Sequence, residues 1–277
     1  MRSKRPTGVF TALAILVGVL TASPVLASGL NMTEGVTETS KAVYDLHMII
    51  MWVCIIIGVL VFGVMAYSMY AHRKSRGVTP ATFHESVKME VVWTVIPFLI
   101  LIGMAIPSTK VLVDMHDTSE PDMTIKVVGY QWKWEYEYVE DGVRFFSTLD
   151  AASNQARQLD SGIDPSTVDN YLLNVDKPLV IPAGKKIRFL LTANDVIHAW
   201  WVPEFGWKKD AIPGFINEAW TKVDEPGVYR GQCAELCGRD HGFMPIVVEV
   251  KSEADYEKWL AAAKAESGTR LASAAAK

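Results

Sequence analysis

The 277 residues are half hydrophobic and carry a formal net charge of -4. A chain of this length can bury a core of domain size, and its near-neutral balance lacks the basic excess by which a nucleic-acid binder is recognised.

Residues 1–29 read as an export signal. Arg2, Lys4 and Arg5 precede an apolar run from Val9 to Leu20, and Val25-Leu26-Ala27 forms a cleavage site of the looser small-residue type. Cleavage is expected after Ala27 or close by. No cysteine stands there to take a lipid. Residues 30–45 then form a short segment outside the cytoplasm.

Residues 46–113 read as a transmembrane hairpin. Leu46 to Tyr70 contains 25 residues, and Val91 to Thr109 contains 19, without Asp, Glu, Lys or Arg. As helix, each run is long enough to cross about 30 Å of hydrocarbon. Pro97 predicts a bend in the second span. The connection carries Arg73, Lys74, Arg76 and Lys88 against Glu85 alone, an excess that marks the cytoplasmic side. Both flanks of the hairpin therefore lie outside, in the bacterial case in the periplasm. Glu90 sits at the cytoplasmic edge, where a carboxylate either touches a proton path or simply faces water.

Residues 114–251 read as an exported β domain. Met123 to Val128 predicts a strand. Tyr130 to Tyr138 alternates strictly, with Tyr130, Trp132, Trp134, Tyr136 and Tyr138 sharing one parity and hence one aromatic sheet face. Asp141-Gly142 predicts a turn, and residues 150–170 an excursion with a short helix at 152–159. Further strands are expected at 171–175, 179–181, 186–191, 215–221, 228–232 and 246–250. Many short strands with Gly and Pro turns predict an antiparallel sandwich or barrel. Residues 252–277 read as a helix capped by Ser252, followed past Ser267 by a small, polar, disordered tail.

The charge is unevenly spread. From Lys110 to Lys258, 25 Asp and Glu stand against 16 Lys and Arg, a net of -9; the remainder is +5. Such an acidic domain predicts a cationic partner at its surface.

One stretch organises the domain: Gly231 to Pro245, GQCAELCGRDHGFMP, places Cys233, Cys237, His241 and Met244 at spacings of four, four and three. Two thiols, an imidazole and a thioether suit copper rather than the oxygen-seeking magnesium or calcium. Strands grip this loop at both ends, so another ligand must come from elsewhere, and His198 is the candidate. Two thiolates shared by two copper ions, each capped by one histidine, would use His198 and His241 without remainder. Met244 would be a weak ligand on one side and a backbone carbonyl between the cysteines a ligand on the other. The expected work of such a closed core is electron transfer. Two alternatives stay open: a Cys233–Cys237 disulfide in an oxidising compartment, and a structural Cys2His2 zinc site in an exported, membrane-anchored module, which leaves Met244 idle.

The signal, the hairpin with Glu90-Val-Val-Trp-Thr-Val-Ile-Pro, the stretch Gly129-Tyr-Gln-Trp-Lys-Trp134, and the Cys-x-x-x-Cys-x-x-x-His-x-x-Met run with upstream His198 closely resemble subunit II of bacterial aa3-type cytochrome c oxidase. The resemblance implies a two-helix transmembrane hairpin followed by an all-β cupredoxin-like Greek-key barrel. It implies a binuclear copper A centre held by His198, Cys233, the carbonyl of Glu235, Cys237, His241 and Met244. It further implies magnesium or manganese on the Glu235 side chain at the boundary with subunit I. Trp132 matches the entry point for electrons from cytochrome c, Asp176 and Asp195 match docking positions for that basic protein, and Glu90 matches the mouth of a proton pathway. Subunit I would hold haem a, haem a3 and copper B, where dioxygen is reduced and protons are pumped; subunit III is a further expected neighbour.

Overall fold

The computed structural model describes residues 31–275, with side chains through Ser267, so the expected export signal at 1–29 lies outside the described residues. The chain divides into two units, 1–33 and 34–277. The architecture that follows is that of the second.

Two long helices come first, α1 (Glu38–Ala71) and α2 (Val87–His116). At 1.5 Å per residue they measure about 51 and 45 Å, more than a bilayer core requires. α1 begins upstream of the apolar run at Leu46 because its start is capped and docked. Ser40 N donates to Thr37 Oγ1 and Thr37 N donates to Ser40 Oγ, both at 2.9 Å, a reciprocal box that satisfies two orphan donors. Thr37 Oγ1 also donates to the Phe205 carbonyl at 2.9 Å, and Val36 N to that of Glu204 at 3.0 Å. At the other junction Trp220 Nε1 donates to the Asp114 carbonyl at 3.2 Å. Both spans are thus tied to the β domain at their outer ends. Along the spans, large apolar side chains such as Phe62 and Phe98 face outward, which is the arrangement of helices whose solvent is lipid.

The β domain consists of two five-stranded sheets. The first has the order β3 (Val143–Ser147), β2 (Lys133–Tyr138), β1 (Met123–Tyr130), β5 (Ile187–Ala193) and β8 (Asn217–Thr221). The second runs β4 (Leu179–Pro182), β10 (Pro245–Lys251), β9 (Gly227–Cys233), β6 (His198–Val202) and β7 (Trp207–Ala211). The purely antiparallel expectation fails at two places, since β1 pairs with β5 and β10 with β4 in parallel. Both pairs join segments far apart in sequence, which short-range turn signals do not report.

Inward-facing residues of the two sheets meet in one core. Trp134, Tyr136 and Tyr138 are fully buried, as are Phe189, Trp200 and Phe205. The rings of Phe189 and Trp207 each lie 5.2–5.7 Å from a neighbour's in a stack around Trp200. Polar atoms pin the sheets together. Tyr138 OH donates to the Val180 carbonyl at 2.7 Å and accepts from Val180 N at 3.0 Å, while Trp200 Nε1 donates to Tyr136 OH at 3.3 Å. A buried tyrosine or tryptophan usually takes such a partner, though Trp207 Nε1 in the same stack has none among the described residues.

Four other expectations need correction. The alternation from Tyr130 to Tyr138 is broken: Tyr130 pairs with Lys133, so Gln131 and Trp132 form the tip of a two-residue turn joined by a cis peptide. Residues 171–175 form no strand beyond one bridge, Leu149 to Val175. β7 was not anticipated, because Trp207-Lys-Lys-Asp-Ala211 has little apolar alternation. The C-terminal helix α4 (Glu253–Ala275) continues past Ser267, consistent with the high helix propensity of its alanines. The expected excursion is present, carrying α3 (Ala151–Ala156) capped by Asp150.

Gly129 sits within β1. A Cβ there would lie 2.7 Å from His198 Cδ2, so only glycine lets the histidine ring pack on the strand. Gly129→Ala should therefore destabilise the domain by roughly 2 kcal/mol, read as a lower thermal midpoint. Wild-type stability in that variant would show that the contact does not constrain the histidine.

Candidate metal centre

Strand ends bring the ligands together. Cys233 is the last residue of β9 and His198 the first of β6; Trp200 pairs with Cys233 in register. The loop from Ala234 then passes over the end of the sandwich and returns through a 3-10 turn, His241–Phe243, to Met244 and β10.

The side chains converge. Cys233 Sγ lies 3.8 Å from Cys237 Sγ and 3.8 Å from His198 Nδ1. Cys237 Sγ lies 3.4 Å from His241 Nδ1 and 3.6 Å from Met244 Sδ. The Glu235 carbonyl oxygen lies 3.4 Å from Cys233 Sγ. Both imidazoles thus present the same nitrogen, one to each sulfur. His198, Cys233 and Cys237 are buried, with their ligand atoms all within 4.8 Å of one another, a set able to hold a metal ion. Both loop cysteines are free thiols, separated by almost twice the length of a sulfur–sulfur bond, so the disulfide alternative is not realised.

Hydrogen bonds from the first sheet hold this arrangement. Gln131 Nε2 and Trp132 Nε1 both donate to the Cys237 carbonyl, at 2.9 and 3.1 Å. Trp134 Nε1 donates to the Met244 carbonyl at 3.2 Å, and from the second sheet the Ala199 carbonyl accepts from Ala234 N at 3.0 Å. Gly238, at φ +113°, turns beneath Gln131 and Trp132, where a side chain would meet both. The aromatic stretch is therefore more than core: its turn grips the ligand loop. Gln131 was not singled out from sequence, since no local pattern marks a turn residue as a clamp on a loop a hundred positions away.

Asp195 holds the buried histidine. Its Oδ1 is 2.9 Å from His198 Nε2 and accepts from Val196 N at 2.7 Å, while Oδ2 accepts from Gln131 N at 2.8 Å. A carboxylate on the far nitrogen fixes the ring and leaves Nδ1 for the sulfur side. Burial pushes the Asp195 carboxyl up, but His198 and the two amides outweigh it and hold it below the usual range. Burial alone would lower the His198 pKa; Cys233 and Asp195 reverse this and raise it.

The thiols split. Burial raises Cys233, but the His198 ring and the backbone groups of Glu235 and Ala199 favour its thiolate, so it falls below the ordinary value. Cys237 is pushed up to about 12, by burial first and then by the charge on its neighbour. Two thiolates side by side are unfavourable without a cation between them, and metal ions replace those protons. The donor set fits copper: two soft sulfurs, two imidazoles and a thioether buried to 1% exposure.

The remaining candidates lie outside the cluster. The Glu235 side chain is exposed on the outer side of the loop. Asp176 is exposed, its Oδ1 accepting from Thr148 N and Lys177 N at 2.7 and 2.8 Å. Glu90 is exposed in the first turn of α2, at the opposite end of that helix from the β domain.

Comparison with known proteins agrees in both halves of the chain. Residues 123–251 match the family described as "Cytochrome C oxidase subunit II, periplasmic domain", and residues 25–111 match "Cytochrome C oxidase subunit II, transmembrane domain". A probable cytochrome c oxidase subunit 2 of Rickettsia prowazekii is 40% identical over 87% of this chain and 74% of its own length. Cytochrome c oxidase subunit 2 of Cereibacter sphaeroides is 32% identical over 85% and 80%. The crystal structure of the periplasmic domain of subunit II of cytochrome oxidase of Bradyrhizobium japonicum is 40% identical, covering 54% of this chain and 98% of that one, with a TM-score of 0.46. The two spans and the match of the β domain to a periplasmic one make this a multi-pass inner-membrane protein with a periplasmic C-terminal domain. On these grounds the chain belongs to the cytochrome c oxidase subunit II family.

Proposed function

We propose that the chain accepts electrons from cytochrome c at a binuclear copper A centre and passes them to haem a in subunit I, where dioxygen is reduced to water and protons are pumped. The single observation that carries the reading is the pair of free, buried sulfurs 3.8 Å apart, each faced by one imidazole Nδ1. When bound, the two copper ions supply a one-electron carrier. The ligands proposed for them are His198, Cys233, the Glu235 carbonyl, Cys237, His241 and Met244, on a cupredoxin-like Greek-key barrel. A structural zinc site would make no use of Met244, whose buried Sδ lies 3.6 Å from Cys237 Sγ.

The chain's own residues shield the sulfurs and brace the site. Met244 and His198 close its floor, Trp134 supports it from the core, and the turn at Gln131 and Trp132 fixes its outer lip. Rigidity favours electron transfer because little rearranges when the charge changes. Trp132 is the proposed electron entry: it is half-buried at the surface, and its indole N–H is bonded to the carbonyl of a ligand residue. Glu235 reaches both ways, its carbonyl toward Cys233 and its exposed carboxylate outward, which supports a magnesium or manganese ligand at the subunit I boundary. Glu90, at the far end of α2, is the proposed mouth of a proton path, and subunit III a further neighbour.

The acidity of the β domain supports attraction of a basic cytochrome c. Asp176 and Asp195 are the proposed docking positions. Because Asp195 also holds His198, its replacement would disturb the centre as well as the surface charge; Asp176→Asn removes a charge while keeping an oxygen to accept from Thr148 N and Lys177 N, and so isolates the docking effect. Raising ionic strength from about 10 to 150 mM should slow association with cytochrome c at least tenfold, and Asp176→Asn should flatten that dependence. A rate indifferent to salt would remove the docking proposal and leave the metal proposal standing.

Two measurements address the metal directly. Copper-loaded chain should hold two copper ions and absorb in the near infrared, whereas one colourless zinc per chain would establish the structural alternative. Met244→Leu should keep both coppers and the thiolate absorption while shifting the reduction potential. An unchanged potential would exclude Met244 as a ligand.

A further inference from the structure

The two histidines are held differently. His198 is fixed through its own ring by Asp195 at 2.9 Å. Nε2 of His241 has no hydrogen-bond partner among the described residues, so the placement of this ring depends on the 3-10 turn that carries it. That turn is gripped from an unexpected direction.

Between β3 and β4 the chain leaves the sheet for residues 148–178, and this excursion is closed at its base. Thr148 N donates to Asp176 Oδ1, Asp176 N to the Thr148 carbonyl at 3.0 Å, and Asp150 N to the Asn174 carbonyl at 3.2 Å. Asn174 Oδ1 in turn accepts from Arg230 on β9 at 3.2–3.3 Å. The excursion is thus a fixed platform, and Arg157 at the end of α3 projects from it over the ligand loop. Its Nε donates to Asn154 Oδ1 at 2.8 Å, which aims the guanidinium plane. Cζ then lies 4.3 Å from the centroid of the Phe243 ring, and Nη1 is 3.6 Å from Asp240 Oδ1, which the exposed Arg239 Nε also approaches at 3.4 Å. Both members of the ion pair are largely shielded, at 22% and 15% exposure. Arg157 therefore touches the residue just before His241 and the aromatic residue two places after it. The contacts line a recess of about 240 Å³ beside Trp132.

We propose that Arg157 is a positioning residue for His241: it clamps the turn from both sides so that Nδ1 stays on Cys237. The proposal rests on the copper reading above for the ligand role of His241, and on geometry alone for the clamp. Arginine suits the task because one extended planar group can lie over the ring and reach the carboxylate at once, whereas the compact ammonium of lysine spans both only in part.

The test uses the full chain with Arg157→Gln and Arg157→Lys. In the copper-free protein, amide exchange across residues 238–243 should rise about tenfold in the glutamine variant, with 246–250 in β10 unchanged as the control for folding. In the copper-loaded protein, release of copper to a chelator should accelerate about tenfold, as loss of an outer partner of a ligand does, with a changed absorption spectrum; lysine should restore part of both. Unchanged exchange at 238–243 would overturn the proposal. Faster exchange with unchanged copper release and spectrum would also overturn it, since the contact would then brace the loop without serving the ligand. A wild-type chain that took up no copper would instead fail the copper reading, and the exchange measurement would still decide the clamp.

Discussion

The Cys237 carbonyl is the point on which the site depends. Two N–H groups from one turn, those of Gln131 and Trp132, converge on it, and a third from Trp134 takes the Met244 carbonyl. A loop of this length between two strands has no sheet partner for its own backbone, and buried backbone groups without partners are costly. The first sheet supplies those partners. In doing so it fixes the second cysteine and the thioether relative to Cys233, which the end of β9 already holds. The two sulfurs, held through their backbone, stand 3.8 Å apart.

That placement has an electrostatic consequence. Buried thiols in contact cannot both ionise at neutral pH, and the structure divides them into one lowered and one raised. Such a pair suits a bound metal ion, which would take the place of the thiol protons. Asp195 completes this logic on one side, since a carboxylate behind His198 strengthens the ring as a donor. Seen this way, one residue on the acidic surface also acts as a support for the site.

Much of this was legible in the sequence because it is local. The spans announce themselves through unbroken apolar runs, and the loop through four soft donors within twelve positions. Ile187, Phe189 and Leu191 alternate as a half-buried strand should, and they are buried as expected. What was illegible is non-local. The parallel pairings of β1 with β5 and β4 with β10 join segments with no shared signal, and β7 lacks an apolar pattern of its own. The even aromatic spacing from Tyr130 to Tyr138 concealed a turn, because Tyr130 and Trp132 keep the parity of a strand they do not continue. The contacts of Gln131 and Arg157 with the ligand loop arise only when residues about a hundred positions apart are folded together.

The central proposal is that Cys233 and Cys237 would hold two copper ions rather than one metal ion or a disulfide. Electron paramagnetic resonance of the oxidised, copper-loaded chain tests this most directly. The account predicts a signal from one unpaired electron coupled equally to two copper nuclei, with both thiols unavailable to alkylation. A four-line pattern from a single copper nucleus, or a silent protein containing a Cys233–Cys237 disulfide, would contradict it.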